Sequence, residues 1–329
     1  MSDKSISLIN SYKVCHKIFK KNAKTYYIGS LLFDYEKFLH ICAFYGLVRV
    51  VDDIVDLEKD IDKKIDKIQN FESTFFSIID KNLHERKLLI NNNLFWKNYH
   101  NIMRAVINTS NVIGISREIY SKFFKSMKMD LYKYHYNNYN ELEEYMDGSA
   151  AVIGEVMLNI IKHNNKAPIY NTPDMIKYAR KLGYAFQLTN FIRDIKEDMD
   201  MIPSRIYIPI DDQKKFKCNL KEYNSIKNDK NFKNLIEFQL KRCDKIYQSA
   251  NIGINKIDAN NRFSILISKI LYSEINNKIR KNNYNISNRT RINSCEKFSL
   301  LFNELSFCQF IRIIFVILFN YVYYNILLY

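Results

Sequence analysis

Apolar residues recur along this chain mostly at intervals of three and four, the period of a helix face. In "FYGLVRVVDDIVDLEKD" (44–60), Phe44, Leu47, Val48, Val51 and Val55 share one side, which predicts a helix over 33–57 with a face toward a core. Residues 8 to about 30 read as a helix, followed in "KKNAKTYYIGSLL" by a short break and a new helix. "LEKDIDKKIDKI" reads as a charged, exposed connection, and 70–165 as several helices with a break near 91–93. Pro173 starts a helix over about 174–198. Two prolines in "MIPSRIYIP" demand an irregular loop. The Lys- and Asn-rich 212–232 reads as an exposed loop with a short helix, and two helices follow over 233–255 and 260–281. With only 7 Gly and 4 Pro in 329 residues, and no internal repeat at a period of 20–50, the pattern is that of an all-α protein.

Composition narrows this little. A 47% hydrophobic chain of this length can bury a sizeable core as one large domain or two smaller ones. The net charge of +15 suits nucleic acid, an anionic membrane or a phosphorylated substrate. The cations are spread along the chain, however, with neither zinc-finger spacing nor a basic region followed by heptads, so nucleic acid is not expected. Cys15, Cys42, Cys218, Cys243, Cys295 and Cys308 form no CxxC pair and read as reduced core cysteines of an intracellular protein. The first residues lack the apolar stretch of a signal peptide. In "YNELEEYMDGSAAVIGEVMLNII" the small residues Gly148, Ser149, Ala150, Ala151 and Gly154 permit close approach by a ligand or by another helix.

The acids change the picture. Asp52 and Asp56 lie one turn apart on a core-facing helix, where like charges repel. Asp194 and Asp198 repeat the spacing on a second apolar helix, which also carries Leu182, Tyr184, Ala185, Phe186, Leu188 and Ile192. Buried carboxylates need a compensating cation or a raised pKa. A Mg²⁺ cluster meets that need, because Mg²⁺ takes oxygen ligands and bridges carboxylates to phosphates. Asn190, one turn before Asp194, offers another oxygen, and Gln187 lies before it. The bland alternative is that Arg49 and Arg193 simply pair with the acids. A shared-proton carboxylate dyad would not explain two spaced pairs.

"YGLVRVVDDIVD" resembles the first aspartate-rich motif of the phytoene/squalene synthase family, and "QLTNFIRDIKED" followed by "RIYIP" its second. "MKMDLYKYHYNNYNELEEYMDGSAAVIGEVML" and "NYNISNRTRINSCEKF" are similar to the family's intervening and C-terminal basic segments, and the details look closer to phytoene synthases. The resemblance implies the isoprenoid-synthase fold, a single helical domain over 1–305 around a central cavity. It implies Mg²⁺-dependent (or Mn²⁺-dependent) head-to-head prenyl transfer: two geranylgeranyl diphosphates joined through prephytoene diphosphate to phytoene. The alternatives are two farnesyl diphosphates joined to presqualene diphosphate, dehydrosqualene or squalene, the last needing NADPH, and a non-catalytic assembly factor on the same fold. By the same resemblance Asp52, Asp56, Asp194 and Asp198 hold metal with Asn190. Lys24, Arg49, Arg193, Arg289 and Lys297 meet diphosphate, Tyr45, Tyr145 and Gln187 line the cavity, and Asp130 is the acid of the "MDL" signature. Arg205 and Tyr207 fall in a flap-like loop. Ala23, Ile267 and Pro203 depart from the family pattern.

Residues 306–329 extend beyond the resemblance. Past Arg312, only Asn320 and Asn325 are strongly polar. The stretch is at the short edge of a membrane-spanning helix. It reads as a membrane anchor, consistent with lipid substrates and a cytoplasmic-face location, or as a helix packed on the domain or lying in the membrane plane.

Overall fold

The computed structural model describes residues 3–58, 60–80, 99–165 and 167–328. Its helices are α1 (Asp3–Asn22), α2 (Lys24–Ser30), α3 (Tyr35–Leu57), α4 (Ile61–Ile79), α5 (His100–Ile113), α6 (Arg117–Met129), α7 (Tyr139–Met146), α8 (Val152–Lys162), α9 (Pro173–Arg193), α10 (Ile195–Met199), α11 (Ile210–Lys215), α12 (Tyr223–Ile226), α13 (Lys230–Lys256), α14 (Ala259–Lys281), α15 (Ser294–Glu304) and α16 (Phe307–Leu328). Among the described residues the only extended pairing is an isolated parallel bridge, His135 to Ile206. The all-α expectation holds. The expected break near 91–93 lies outside the described residues.

The chain forms two compact units. One comprises Met1–Leu131, Asn159–Lys166 and Ile313–Tyr329, the other Tyr132–Leu158 and Ala167–Arg312. In the first, α1 and α3 pack together and α5 packs on both. The Asp34 side chain caps α3 by accepting from the Lys37 amide at 2.9 Å. The helix buries Phe38, Ile41, Cys42, Phe44, Leu47, Val51 and Val55. In the second unit α9 is the central helix, packed on α13, α14 and a π-helical turn, Asp147–Ala151.

Three expectations are corrected. The charged run after Leu57 is not a connection. Asp60 caps α4, and Ile68, Phe71, Phe75 and Ile78 make a buried stripe at 3–4 spacing. The Lys and Asp residues that run ahead of Ile68 hid that stripe. The helix expected over 174–198 breaks at Asp194, which leaves helical geometry (φ −100°, ψ 7°) between α9 and α10. Side chains at i and i+1 do not face each other on a helix, and the break accompanies the pairing of Arg193 with its neighbour Asp194. The backbone bonds Asp194 N to Asn190 O and Asp198 N to Asp194 O, both 2.8 Å, carry the turn through, so the one-turn spacing of the acids survives.

The 212–232 segment is largely exposed with short helical turns, as expected, and is anchored at a few buried points. Leu220 and Tyr223 are buried, and Arg242 donates to the Asp212 carboxylate at 2.6 Å. Finally, four cysteines are buried and reduced as expected, but Cys295 and Cys308 are exposed, each on the solvent side of its helix.

The run of small residues serves helix packing. A Cβ on Gly154 would lie 2.1 Å from the Ala179 carbonyl oxygen, and one on Gly183 would lie 2.3 Å from that of Ala150. Arg180 on α9 pairs with both Asp147 and Glu155, on either side of that contact.

Candidate active site

In the first unit the acids stand on the last two turns of α3. Arg49, one turn before Asp53, ion-pairs with it, and lies 3.9 Å from Asp52. This settles the position of Asp53, which by helical geometry is off the Asp52–Asp56 face. Burial pushes the Asp52 carboxyl up to about 7. The negative charge of Asp56 adds to this, Arg49 opposes it, and Asp130 and Asp53 push further upward. The side chain is 46% exposed, so solvent screening tempers the effect; its direction is that of a carboxylate among carboxylates. The donor set is all oxygen, the charge is in excess, and solvent has access. These residues fit a hard divalent cation.

Of the other residues expected here, Lys24 is exposed at the first position of α2. Tyr45 lies against Phe19, ring centroids 4.7 Å apart. Asp130 caps the end of α6 and is buried.

In the second unit the acids have different company. Arg193 forms a two-point ion pair with Asp194, Nε to Oδ1 at 2.7 Å and a terminal nitrogen to Oδ2 at 2.5 Å. Arg289 reaches the same carboxylate at 3.2 Å and Glu197 at 2.9 Å. Arg193 also donates to the Tyr272 hydroxyl at 3.4 Å. Although burial works against its charge, the Asp194 hydrogen bond and the nearby Tyr272 and Asp194 charges raise the Arg193 pKa, so it stays a cation. Tyr272 in turn donates to Asn190 Oδ1, and Asn190 Nδ2 donates to Gln187 Oε1 at 3.3 Å. The simple pairing of arginine with acid is thus present at Asp194. Asn190, Gln187, Arg193, Asp194 and Arg289 do come together as one network. Lys297 stands on the first turn of α15, just after the Asn293–Glu296 capping box.

Tyr272 is the member that sequence reasoning missed. It is 82 positions from Asn190 and sits on an ordinary amphipathic helix, so no local signal marked it. The loop after the second motif is docked rather than loose. Arg205 N donates to Asp198 O at 2.9 Å and Ile206 N to Tyr134 O at 2.8 Å. Arg205 and Tyr207 are buried. Tyr207 stacks on Phe191 (4.0 Å, 11°), with Tyr145 and Tyr136 completing a four-ring aromatic layer.

Residues 19–295 match the model of the squalene/phytoene synthase family. The chain is 26% identical over 290 residues to a 15-cis-phytoene synthase of a Synechocystis species, covering 86% of this chain and 80% of that one. Among solved structures it is similar to a squalene synthase of Alicyclobacillus acidocaldarius (TM-score 0.70, 17% identity, 85% of this chain and 97% of that one). It is also similar to a dehydrosqualene synthase in complex with a ligand (TM-score 0.72, 21% identity, 88% and 93%). The chain belongs to the squalene/phytoene synthase family, and its chemistry is of the prenyltransferase type.

Proposed function

We propose that the protein joins two geranylgeranyl diphosphates head to head, through prephytoene diphosphate, to phytoene, releasing two diphosphates. The phytoene synthase likeness across most of the chain carries this reading. The squalene and dehydrosqualene synthase likenesses, at 17% and 21% identity, speak to the fold.

Asp52 and Asp56 would hold Mg²⁺, and so would Asn190, Asp194 and Asp198. When bound it supplies positive charge where the departing diphosphate gathers negative charge. Lys24, Arg49, Arg289 and Lys297 bind diphosphate oxygens, and Arg193 and Tyr272 orient Asp194 and Asn190. As the C1–O bond of one substrate breaks, a double bond of the other attacks the allylic cation, and a proton leaves as the cyclopropane closes. The second ionisation and rearrangement end in another proton loss, so this product needs no reductant. Tyr145, Tyr207 and Phe191 offer the buried ring faces that stabilise carbocations and exclude water.

The test is direct. Purified protein with Mg²⁺ converts the C20 diphosphate to a C40 hydrocarbon, and a chelator stops it. A product from the C15 diphosphate alone moves the assignment to the farnesyl alternative. Folded protein giving no product from either ends the enzyme reading and favours the assembly factor.

The tail extends the proposal to a membrane surface. α16 is long and apolar enough to cross a membrane by length and composition. Its polar residues nevertheless face its own unit. Asn320 Nδ2 donates to Leu31 O, and the Tyr324 hydroxyl to Phe33 O, both at 2.7 Å, while Lys20 Nζ donates to Asn325 Oδ1 at 2.9 Å. Phe315, Leu318, Phe319, Val322 and Ile326 point outward, the inverse of a soluble helix. No acidic residue interrupts the helix. Exposed Arg312 on it, and exposed Lys17 and Lys21 on either side of Lys20, suit anionic headgroups.

Full-length protein is expected to float with anionic vesicles, and a Phe315→Asp/Phe319→Asp double variant to remain in solution while still folded. Equal flotation of the two chains sinks this reading.

A further inference from the structure

We propose that Glu36, His40 and His163 bind a divalent transition-metal ion, with Zn²⁺ the best fit, at a site separate from the aspartate motifs. Glu36 and His40 lie i and i+4 on the first turns of α3, so they share a face. His163 follows the end of α8. Its Nε2 is 3.2 Å from Glu36 Oε1, and its ring lies edge-on to that of His40, centroids 5.9 Å apart at 86°. One ligand atom from each of the three lies within 4.8 Å of the others. Zn²⁺ held at about 2.0–2.2 Å from nitrogen and oxygen sets tetrahedral ligand atoms roughly 3.3–3.5 Å apart. The His163–Glu36 pair is already at that spacing, and the remaining adjustment is within the reach of side-chain rotation.

His40 supplies the independent pointer to a ligand. Its side chain is 3% exposed, and its Nε2 has no hydrogen-bond partner. Its Nδ1 lies 2.9 Å from Thr109 Oγ1 and 3.4 Å from the Tyr12 hydroxyl. In the metal-binding tautomer Nδ1 keeps the ring proton and donates to Thr109 Oγ1, which leaves the lone pair on the unpartnered Nε2. A buried acceptor without a donor is costly, and a metal ion is what such a lone pair accepts. The outer contacts have the form found around metal sites, where a ligating imidazole uses its second nitrogen on a fixed oxygen. On the carboxylate, Asn164 Nδ2 donates to Glu36 Oε2 at 3.2 Å, steadying the oxygen that does not face His163.

The donor set separates this site from the aspartates. Two imidazoles and one carboxylate suit Zn²⁺ and its late first-row neighbours, whereas Mg²⁺ prefers oxygen alone. The ion would fasten the start of α3 to the 159–165 segment of the same unit. Glu36 is exposed, so a fourth position stays open to water.

The experiment uses untagged full-length protein, stripped with a chelator and titrated with Zn²⁺ against a chromogenic competitor in excess Mg²⁺. One tight equivalent is expected. His163→Ala and Glu36→Gln should each weaken it more than about 10-fold while leaving the circular dichroism spectrum unchanged. Thr109→Val, which removes the nearer of the two hydroxyls beside Nδ1, should weaken it about 10- to 100-fold. Co²⁺ bound in place of Zn²⁺ should show d–d bands without a sulfur-to-metal charge-transfer band, which excludes the exposed Cys295 and Cys308. The proposal is overturned if no equivalent binds, if His163→Ala binds as tightly as wild type, or if the Co²⁺ spectrum shows thiolate ligation.

Discussion

Asp52→Asn and Asp194→Asn should both abolish phytoene formation, yet move stability in opposite directions. Each removes a charged oxygen from a proposed cation site. A loss of at least about 10²–10³-fold in turnover is expected, the scale for deleting one preorganised electrostatic partner. For Asp52 the fold loses nothing it needs. The residue sits among Asp56, Asp130 and Asp53, and the nearer Arg49 is committed to Asp53. A neutral isostere relieves that repulsion, so metal-free Asp52→Asn should melt at or above the wild-type temperature.

Asp194 is the reverse case. Its partner Arg193 is buried, with the two side chains only 9% and 13% exposed. Breaking such a pair strands a buried guanidinium, a loss of about 3–5 kcal/mol. Thermal melts of the two variants, read beside product formation from the C20 diphosphate, check this. Turnover that survives both substitutions removes the metal assignment, and equal melting temperatures refute the difference between the motifs.

The second large effect is steric. Gly154→Ala or Gly183→Ala gains about 1 kcal/mol in helix propensity. Overpacking usually costs about 1–3 kcal/mol, and here the obstacle is less forgiving than a side chain. Each new Cβ meets a carbonyl oxygen of the facing helix, at 2.1 and 2.3 Å. No rotamer relieves a backbone contact, so α9 must move away from the 147–154 segment. We expect a net loss of about 2 kcal/mol or more for either variant, measured by chemical denaturation. Activity should fall with it, because α9 carries Gln187, Asn190 and Arg193. A variant as stable as wild type would mean the helices are not in that contact.

Much of this was legible in the chain. The helix holding Asp52 and Asp56 declared itself through Phe44, Leu47, Val51 and Val55, and the spacing of the two acid pairs singled out both motifs. Three kinds of feature were not legible. The start of α4 was masked because Lys and Asp fill the exposed positions between its apolar residues. The break at Asp194 depends on a side chain bonding its own neighbour, which no periodicity records. Tyr272 with Asn190, and His163 with Glu36 and His40, are brought together only by tertiary packing. Each residue alone looks unremarkable in its local sequence.

The arginines around Asp194 also bear on how the protein exists between turnovers. Arg193 and Arg289 act as built-in counterions. The 187–198 segment is charge-balanced by the chain itself, so its shape does not depend on a dissolved ion. A cation arriving at Asp194 enters by exchange and must displace a guanidinium that already has geometry in its favour. At Asp52 no such exchange is needed, because repulsion there is relieved at once. The two motifs should therefore fill in order as divalent cation rises, Asp52 and Asp56 first, with the second motif as the threshold that separates a loaded enzyme from an idle one.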